Sequence, residues 1–147
     1  MTIAQRPRRT PRRRKLPAQP VLFYDQDCRF CRASVKAIEA IDRHGRFAML
    51  PFSDPLSGRL LASMPEERRF QSMHLAQPDG NIVSAGDALI ELCRSLPGGD
   101  WLADSARGNS TARRIFRGGY DFVAQRRDAL SRVVPDYAPA VRTPELR

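Results

Sequence analysis

The stretch Val21-Leu-Phe-Tyr-Asp-Gln-Asp-Cys28-Arg-Phe-Cys31-Arg-Ala-Ser-Val35 decides the fold of this chain. An apolar run of strand character ends in acidic residues, and a Cys-x-x-Cys then begins a helical pattern. This junction puts Cys28 at a helix N-terminus, where the helix dipole and free backbone N–H groups favour a thiolate. Cys31, three positions on, lies on the same helical face and can close a disulfide with Cys28. The stretch therefore predicts thiol–disulfide chemistry at the start of a helix.

Apolar periodicity predicts alternating strands and helices after this stretch. The helix from Cys28 carries apolar residues at offsets of four and three, and we expect it to end before Gly45. A second strand is expected over residues 47–52, because this short apolar run ends at a proline. Ser57 is then expected to cap a short helix.

The second half of the chain extends this order to β-α-β-α-β-β-α. A β-hairpin is expected around the turn Pro78-Asp79-Gly80-Asn81. Ser84 and Asp87 have the spacing of a capping box at the start of the next helix. The order predicts an α/β, three-layer, thioredoxin-like domain of glutaredoxin size. A C-terminal helical extension follows, which we expect Gly118-Gly119 to interrupt, and aromatic residues should pack its helices (Trp101, Phe116, Tyr120 and Phe122).

The net charge of +9 is concentrated at one end of the chain. Residues 1–20 carry six arginines and one lysine without any acid, which leaves a net charge of only +2 for the rest. Prolines and the scarcity of bulky apolar residues indicate that this segment cannot fold alone. We therefore expect a disordered basic tail over residues 1–19, a thioredoxin-like domain including the C-terminal helices over 20–134, and an irregular tail over 135–147. Deleting the basic tail should leave thermal stability nearly unchanged.

Location follows from the same features. The basic tail lacks the apolar core of a secretory signal, and no later stretch approaches the length of a membrane span, so we expect no transmembrane segment. The expected compartment is cytoplasmic. Thiols are kept reduced there, and a close cysteine pair is more often catalytic or metal-binding than structural.

Three stretches resemble the DCC family of thiol-disulfide oxidoreductases. The first runs from Leu22 to Cys31, and the second is Ser84-Ala-Gly-Asp-Ala-Leu89. The third is Tyr120-x-x-Val-Ala-x-x-Arg127 in the C-terminal helical region. The resemblance spans roughly residues 20 to 130. It implies a thioredoxin-like fold, thiol–disulfide exchange, and protein or small-molecule disulfides and thiols as substrates, with no bound organic cofactor.

The sequence departs from the family pattern at three places. Gln26 stands where the family usually has glycine, so a left-handed backbone there would be strained. Arg126 stands where the family often has asparagine. No proline precedes the strand expected near Met73, so the cis-proline that normally faces a thioredoxin-like disulfide is absent from this sequence.

The sequence predicts roles for four residues at the site. Cys28 is the expected nucleophile, because it lies in the first turn and should be the more exposed thiol, and Cys31 is the resolving thiol. Asp25, at the end of the strand, could accept a proton from the buried thiol during exchange. Both Asp25 and Asp27 would disfavour the Cys28 thiolate, while Asp27 has the alternative interpretation of a helix N-cap.

Other interpretations remain open at this point. The cysteines could be ordinary core residues or part of a zinc site, although His44, His74 and Cys93 show no ligand spacing that would complete one. Cys93 lies on an apolar helical stripe and is expected to be an inert core residue. An alternative function is a redox-inactive thioredoxin-like binding module that recruits anionic partners through its arginine-rich tail, by weak and salt-sensitive attraction to nucleic acid or a membrane surface.

Overall fold

Residues 15–147 are described by a computed structural model, so most of the predicted basic tail lies outside the described residues. The strands are β1 (Val21–Tyr24), β2 (Ala48–Pro51), β3 (His74–Ala76) and β4 (Ile82–Ser84). The helices are α1 (Arg29–Ile41), α2 (Pro55–Leu60), α3 (Glu66–Arg69), α4 (Ala85–Ser95), α5 (Asp100–Gly108), α6 (Ser110–Gln125) and α7 (Arg127–Ser131). No helix among these described residues is long and apolar enough to cross a membrane.

The four strands form one mixed sheet in the order β2-β1-β3-β4. β1 runs parallel to β2, with Val21 opposite Ala48, and antiparallel to β3, with Leu22 opposite Leu75. β3 and β4 form the predicted hairpin, in which Gly80 adopts a φ of +91° in the turn. The sequence prediction of a thioredoxin-like α/β fold is confirmed.

Helices cover both faces of the sheet. Alternate side chains of β1 point to opposite faces, and the side chains on each face are buried. Leu22 and Tyr24 pack in a cluster with Val35 of α1 and Leu92 of α4. The neighbouring positions on β1 pack in a second cluster with Leu56, Leu60 and Leu61 of the α2 region. The central strand is therefore buried on both sides, which fixes the position of its carboxyl end, where the cysteine pair follows.

The C-terminal helical extension packs along one flank of the domain. α5 and α6 contact α4, while α7 contacts α1. The predicted interruption at Gly118-Gly119 is wrong, because α6 runs through both glycines. Its packing on α4 outweighs the helix-propensity cost of about 1 kcal/mol per glycine. The expected packing of Trp101 and Phe122 is also wrong, since these side chains are 66% and 58% exposed.

The predictions that the side chains of Ser57 and Ser84 cap helices are wrong. Asp54, rather than Ser57, caps α2, because its carboxylate accepts a hydrogen bond from the Leu56 N–H at 2.8 Å. Ser57 is the third residue of that helix, and its hydroxyl donates to a backbone carbonyl of β2. Ser84 does precede α4, but its side chain forms no cap hydrogen bond. The capping box with Asp87 is therefore absent.

The last residues of the chain are fastened to the sheet at its β2 edge. Arg142 exchanges two backbone hydrogen bonds with Met49, each of 2.9 Å. Its guanidinium also donates to the buried carboxylate of Asp42 at 2.7 Å. Leu16 in turn pairs with Arg147 through two backbone hydrogen bonds. Part of the segment that we expected to be a free tail is therefore held by the C-terminus, while residues 1–14 of that tail lie outside the described part of the chain.

Candidate active site

The cysteine pair lies in the turn that joins β1 to α1, at the carboxyl end of the central strand. Cys28 is the N-cap residue of α1, with the extended backbone typical of that position. Its sulfur accepts a hydrogen bond from the Cys31 N–H at 3.2 Å. The two residues form a disulfide with their Cα atoms 5.1 Å apart. A backbone N–H directed at the Cys28 sulfur would also stabilise a thiolate after reduction.

The two sulfurs have different surroundings. Both cysteines are half-buried. Cys31 packs against the core cluster that contains Tyr24 and Val35, whereas Cys28 is not part of it. Cys31 is thus the inner residue of the pair.

The two acids before the cysteines form a local turn of their own. The Asp27 N–H donates to an Asp25 carboxylate oxygen at 2.9 Å, which is the pattern of an Asx turn. Asp27 itself is exposed. Its interpretation as the helix cap is wrong, because Cys28 occupies the cap position and supplies the accepting atom.

Gln26 occupies this turn without the strain that a left-handed backbone would impose. Within residues 15–147, Ala85 is the only non-glycine residue with a positive φ. The Gln26 side-chain oxygen accepts a hydrogen bond from the Ser53 N–H at 3.3 Å. The side chain therefore ties the turn before the cysteines to the loop after β2, which a glycine could not do.

Arg32 and Ser131 join the start of α1 to the C-terminal region. The Arg32 guanidinium donates to the backbone oxygens of Gln26 and Tyr137 and pairs with Asp136. The Ser131 hydroxyl accepts a hydrogen bond from the Phe30 N–H at 3.1 Å, one of the free N–H groups of the first helical turn. Neither role is predictable from the sequence, since no local pattern connects residues about a hundred positions apart.

A cavity of about 110 Å³ lies beside Cys31, between the sheet, α1 and α6. Asp25 and Cys31 both contribute to its wall, and Asp27 and Cys28 do not. Most of its other wall residues are apolar or aromatic, including Phe30, Phe52, Met73 and Val123. The structure therefore brings two of the four predicted site residues to one cavity and leaves the other two outside it.

Tyr120 lines the cavity next to Met73. The sequence has no proline just before Met73, where thioredoxin-like proteins normally carry a cis-proline. The Met73 N–H donates to the Tyr120 hydroxyl oxygen at 3.0 Å. The Met73 carbonyl accepts from the Ala85 N–H. Burial raises the pKa of Tyr120, so its hydroxyl remains protonated at neutral pH. α6 thus fixes the backbone of Met73, which lines the same cavity as Cys31.

The remaining candidate residues lie apart from this site. Cys93 is half-buried on α4, and burial raises the pKa of its thiol. Its expected lack of reactivity stays a prediction. His74, the first residue of β3, is buried, and its ring hydrogen-bonds to Ser84 and to the Arg69 carbonyl. In the described part of the chain, no three histidine, cysteine or acidic side chains are grouped as a metal site would require.

The chain is similar to a known protein family. The model of the DCC1-like thiol-disulfide oxidoreductase family matches residues 22–133. This range begins in β1, includes the cysteine pair and ends just beyond α7. Neither the curated proteins nor the solved structures contain a match to the chain.

Proposed function

Since the chain belongs to the DCC1-like thiol-disulfide oxidoreductase family, we propose that it exchanges thiols and disulfides through Cys28 and Cys31. The observation that carries the proposal is the position of Cys28 as the N-cap of α1, with its sulfur accepting the Cys31 N–H. That hydrogen bond and the helix dipole both favour negative charge on this sulfur. Protein or small-molecule disulfides and thiols are the proposed substrates.

In the reductive direction, the Cys28 thiolate attacks one sulfur of a substrate disulfide. A substrate thiolate leaves, and the other half of the substrate stays bound to Cys28 as a mixed disulfide. Cys31 then attacks the Cys28 sulfur, which releases the second substrate thiol and leaves the Cys28–Cys31 disulfide. Two electrons pass from the cysteine pair to the substrate, and a dithiol reductant returns the pair to its reduced form.

Asp25 is the proposed proton acceptor for Cys31. Both residues line the same cavity, which brings the carboxylate to the same side of the turn as the thiol. One Asp25 oxygen is engaged by the Asp27 N–H, which leaves the other available. Asp27 is exposed and outside the cavity, and its proposed influence is limited to disfavouring negative charge on Cys28.

A cytoplasmic location is part of the proposal. Thiols are kept reduced in that compartment, so a cysteine pair that cycles between two states would be returned to its dithiol form.

The direct test is mass spectrometry of the protein with and without dithiothreitol, followed by peptide mapping. We expect reduction to add two hydrogen atoms, located at Cys28 and Cys31, and we expect reduced protein to lose them to an added disulfide. Cys93→Ser is the matched control and should behave as the natural sequence does. A reduced protein that exchanges with no added disulfide would favour the redox-inactive binding module.

A further inference from the structure

The cavity beside Cys31 opens to solvent at its rim. Phe70 and Val123 both line it, and these side chains are 54% and 39% exposed. Phe70 is held there by an edge-to-face contact with Phe52, with ring centroids 5.4 Å apart. An apolar cavity that reaches both solvent and the inner cysteine is positioned to receive part of a substrate.

Two polar groups in the cavity wall are paired within the protein. The Ser34 hydroxyl donates to the Phe30 carbonyl at 2.9 Å, and the Tyr120 oxygen accepts the Met73 N–H. Asp25, Ser72 and Arg127 also line the cavity, but apolar and aromatic side chains form most of its wall. A hydroxyl group entering against these apolar side chains would lose its hydrogen bonds to water, which costs free energy. An alkyl group would gain from the same burial.

We propose that this cavity binds the apolar group carried by the substrate sulfur, and that α6 sets the preference. The inference rests on the proposed exchange at Cys28, because the Cα atoms of Cys28 and Cys31 lie 5.1 Å apart and a substituent on a Cys28 mixed disulfide is within reach of the cavity that Cys31 lines. α6 supplies the wall through Tyr120, Val123 and Ala124. The substrate class is therefore disulfides and thiols with a small alkyl group close to sulfur.

The size of the cavity limits what it accepts. A volume of about 110 Å³ is smaller than the roughly 150 Å³ cavity that holds benzene in another protein. The space therefore suits an alkyl group smaller than a benzene ring. Larger substituents would have to remain partly outside, across Phe70.

The test compares two small disulfides of matched size, di-n-propyl disulfide and bis(2-hydroxyethyl) disulfide, which differ by a methyl group in place of each hydroxyl. Exchange at Cys28 and Cys31 converts each disulfide to two thiols, and dithiothreitol returns the cysteine pair to its reduced form. We expect kcat/KM to be about tenfold or more higher for the propyl compound. Ala124→Leu fills the cavity and should bring this ratio towards one, while Val123→Ala enlarges it and should raise the relative rate for di-n-pentyl disulfide.

Ile115→Ala is the control on the same helix, because Ile115 is 68% exposed and does not line the cavity. It should leave the ratio of the two rates unchanged. Equal kcat/KM values for the two compounds in the natural sequence would overturn the proposed cavity specificity while leaving the exchange reaction intact. Reduction of neither compound would instead overturn the proposed function and this inference with it.

Discussion

His74 and Ser84 are joined side chain to side chain across the β3–β4 hairpin, with the His74 Nδ1 2.7 Å from the Ser84 Oγ. The other ring nitrogen, Nε2, lies 2.9 Å from the Arg69 carbonyl, which can only accept a hydrogen bond. Nε2 is therefore the protonated nitrogen of the neutral ring, and the Ser84 hydroxyl donates to Nδ1. This pairing engages the hydroxyl that would otherwise cap α4.

The buried ring predicts a loss of stability in mild acid. Burial lowers the pKa of His74 below its ordinary value of 6.5, so below that pH the unfolded chain binds a proton that the folded protein resists. The contribution of the neutral His74 ring to the free energy of unfolding should therefore be fully present above pH 6.5. It should fall as the pH drops below 6.5, by at most about 1.4 kcal/mol per pH unit. Urea unfolding at pH 7.5 and 5.5 measures this difference.

Two substitutions identify the group responsible. His74→Gln should remove most of the pH dependence between 7.5 and 5.5, whatever its effect on overall stability. His44→Gln changes the other histidine of the chain, which is exposed, and should retain the dependence of the natural sequence. If both variants kept it, the acid sensitivity would have to be assigned to another group.

Helices α4 and α6 approach each other closely at Gly86, where a larger side chain should be destabilising. A Cβ at this position would lie 2.7 Å from the Arg117 Cα, a backbone atom that cannot move without shifting α6. Gly86→Ala should therefore lower the free energy of unfolding by about 1–3 kcal/mol, as overpacking does. Gly58→Ala in α2 is the matched control, because nothing lies within 4 Å of its added Cβ, and it should be neutral or slightly stabilising. Chemical denaturation of the two variants gives the comparison, and equal stability would contradict the packing argument.

The segment of residues 16–18 is hydrogen-bonded to the C-terminal residues of the chain. Two truncations, one that removes these residues and one that keeps them, should therefore differ in thermal stability. Removal of residues 1–19 deletes three backbone hydrogen bonds to Arg147 and Glu145 together with the buried Pro17. These contacts overturn the expectation from sequence that this deletion leaves thermal stability nearly unchanged. We expect a melting temperature roughly 5 °C lower than that of a chain beginning at residue 15, which retains these contacts. Differential scanning calorimetry of both chains tests this, and identical melting temperatures would show that the pairing adds no stability.

Local contacts in this protein were predictable from sequence, and distant ones were not. The place of Cys28 and Cys31 at a helix start follows from an adjacent strand and helix, because both elements are encoded within fifteen residues. The Ser131 contact with Phe30 and the Arg32 contact with Asp136 join positions 101 and 104 residues apart. No periodicity or spacing rule connects such residues, so only the folded structure shows them.

The caps show a second kind of limit. Sequence patterns identify residues able to cap a helix, but the capping atom depends on which hydrogen bonds are already made. At α1, Cys28 rather than Asp27 takes the cap position, and its sulfur accepts the Cys31 N–H. At α4, the Ser84 hydroxyl is engaged by His74. Residue type alone reveals neither outcome.

The roles of the two site cysteines predict different products for two variants. Cys28→Ser should abolish turnover of a disulfide substrate, because it removes the attacking sulfur. Cys31→Ser should accumulate the mixed disulfide on Cys28, because the thiol that releases it is gone. Mass spectrometry of each variant after incubation with a small disulfide measures the adduct, with Cys93→Ser as the control. Faster alkylation of Cys31 than of Cys28 in the reduced natural protein would reverse the assignment.

Asp25 and Asp27 predict effects that separate the two steps of exchange. Asp25→Asn removes negative charge near the cysteines, so a thiolate on Cys28 becomes more favourable and the first attack should become easier at a given pH. The same change removes the proposed proton acceptor for Cys31, and release of the mixed disulfide should slow by about tenfold to a hundredfold. A substitution that accelerates one step and slows the next is difficult to explain by a general loss of structure.

Asp27→Asn is the matched control, because it removes the same charge two residues away, outside the cavity. It should shift alkylation of Cys28 to lower pH without slowing release. Asp27→Ala should change stability by less than about 0.5 kcal/mol, since Cys28 and not Asp27 is the cap. Alkylation of Cys28 across pH, combined with single-turnover kinetics, measures both steps. If Asp25→Asn left the release rate unchanged, Asp25 would be an acid of the turn that supports the Asp27 N–H and takes no part in proton transfer.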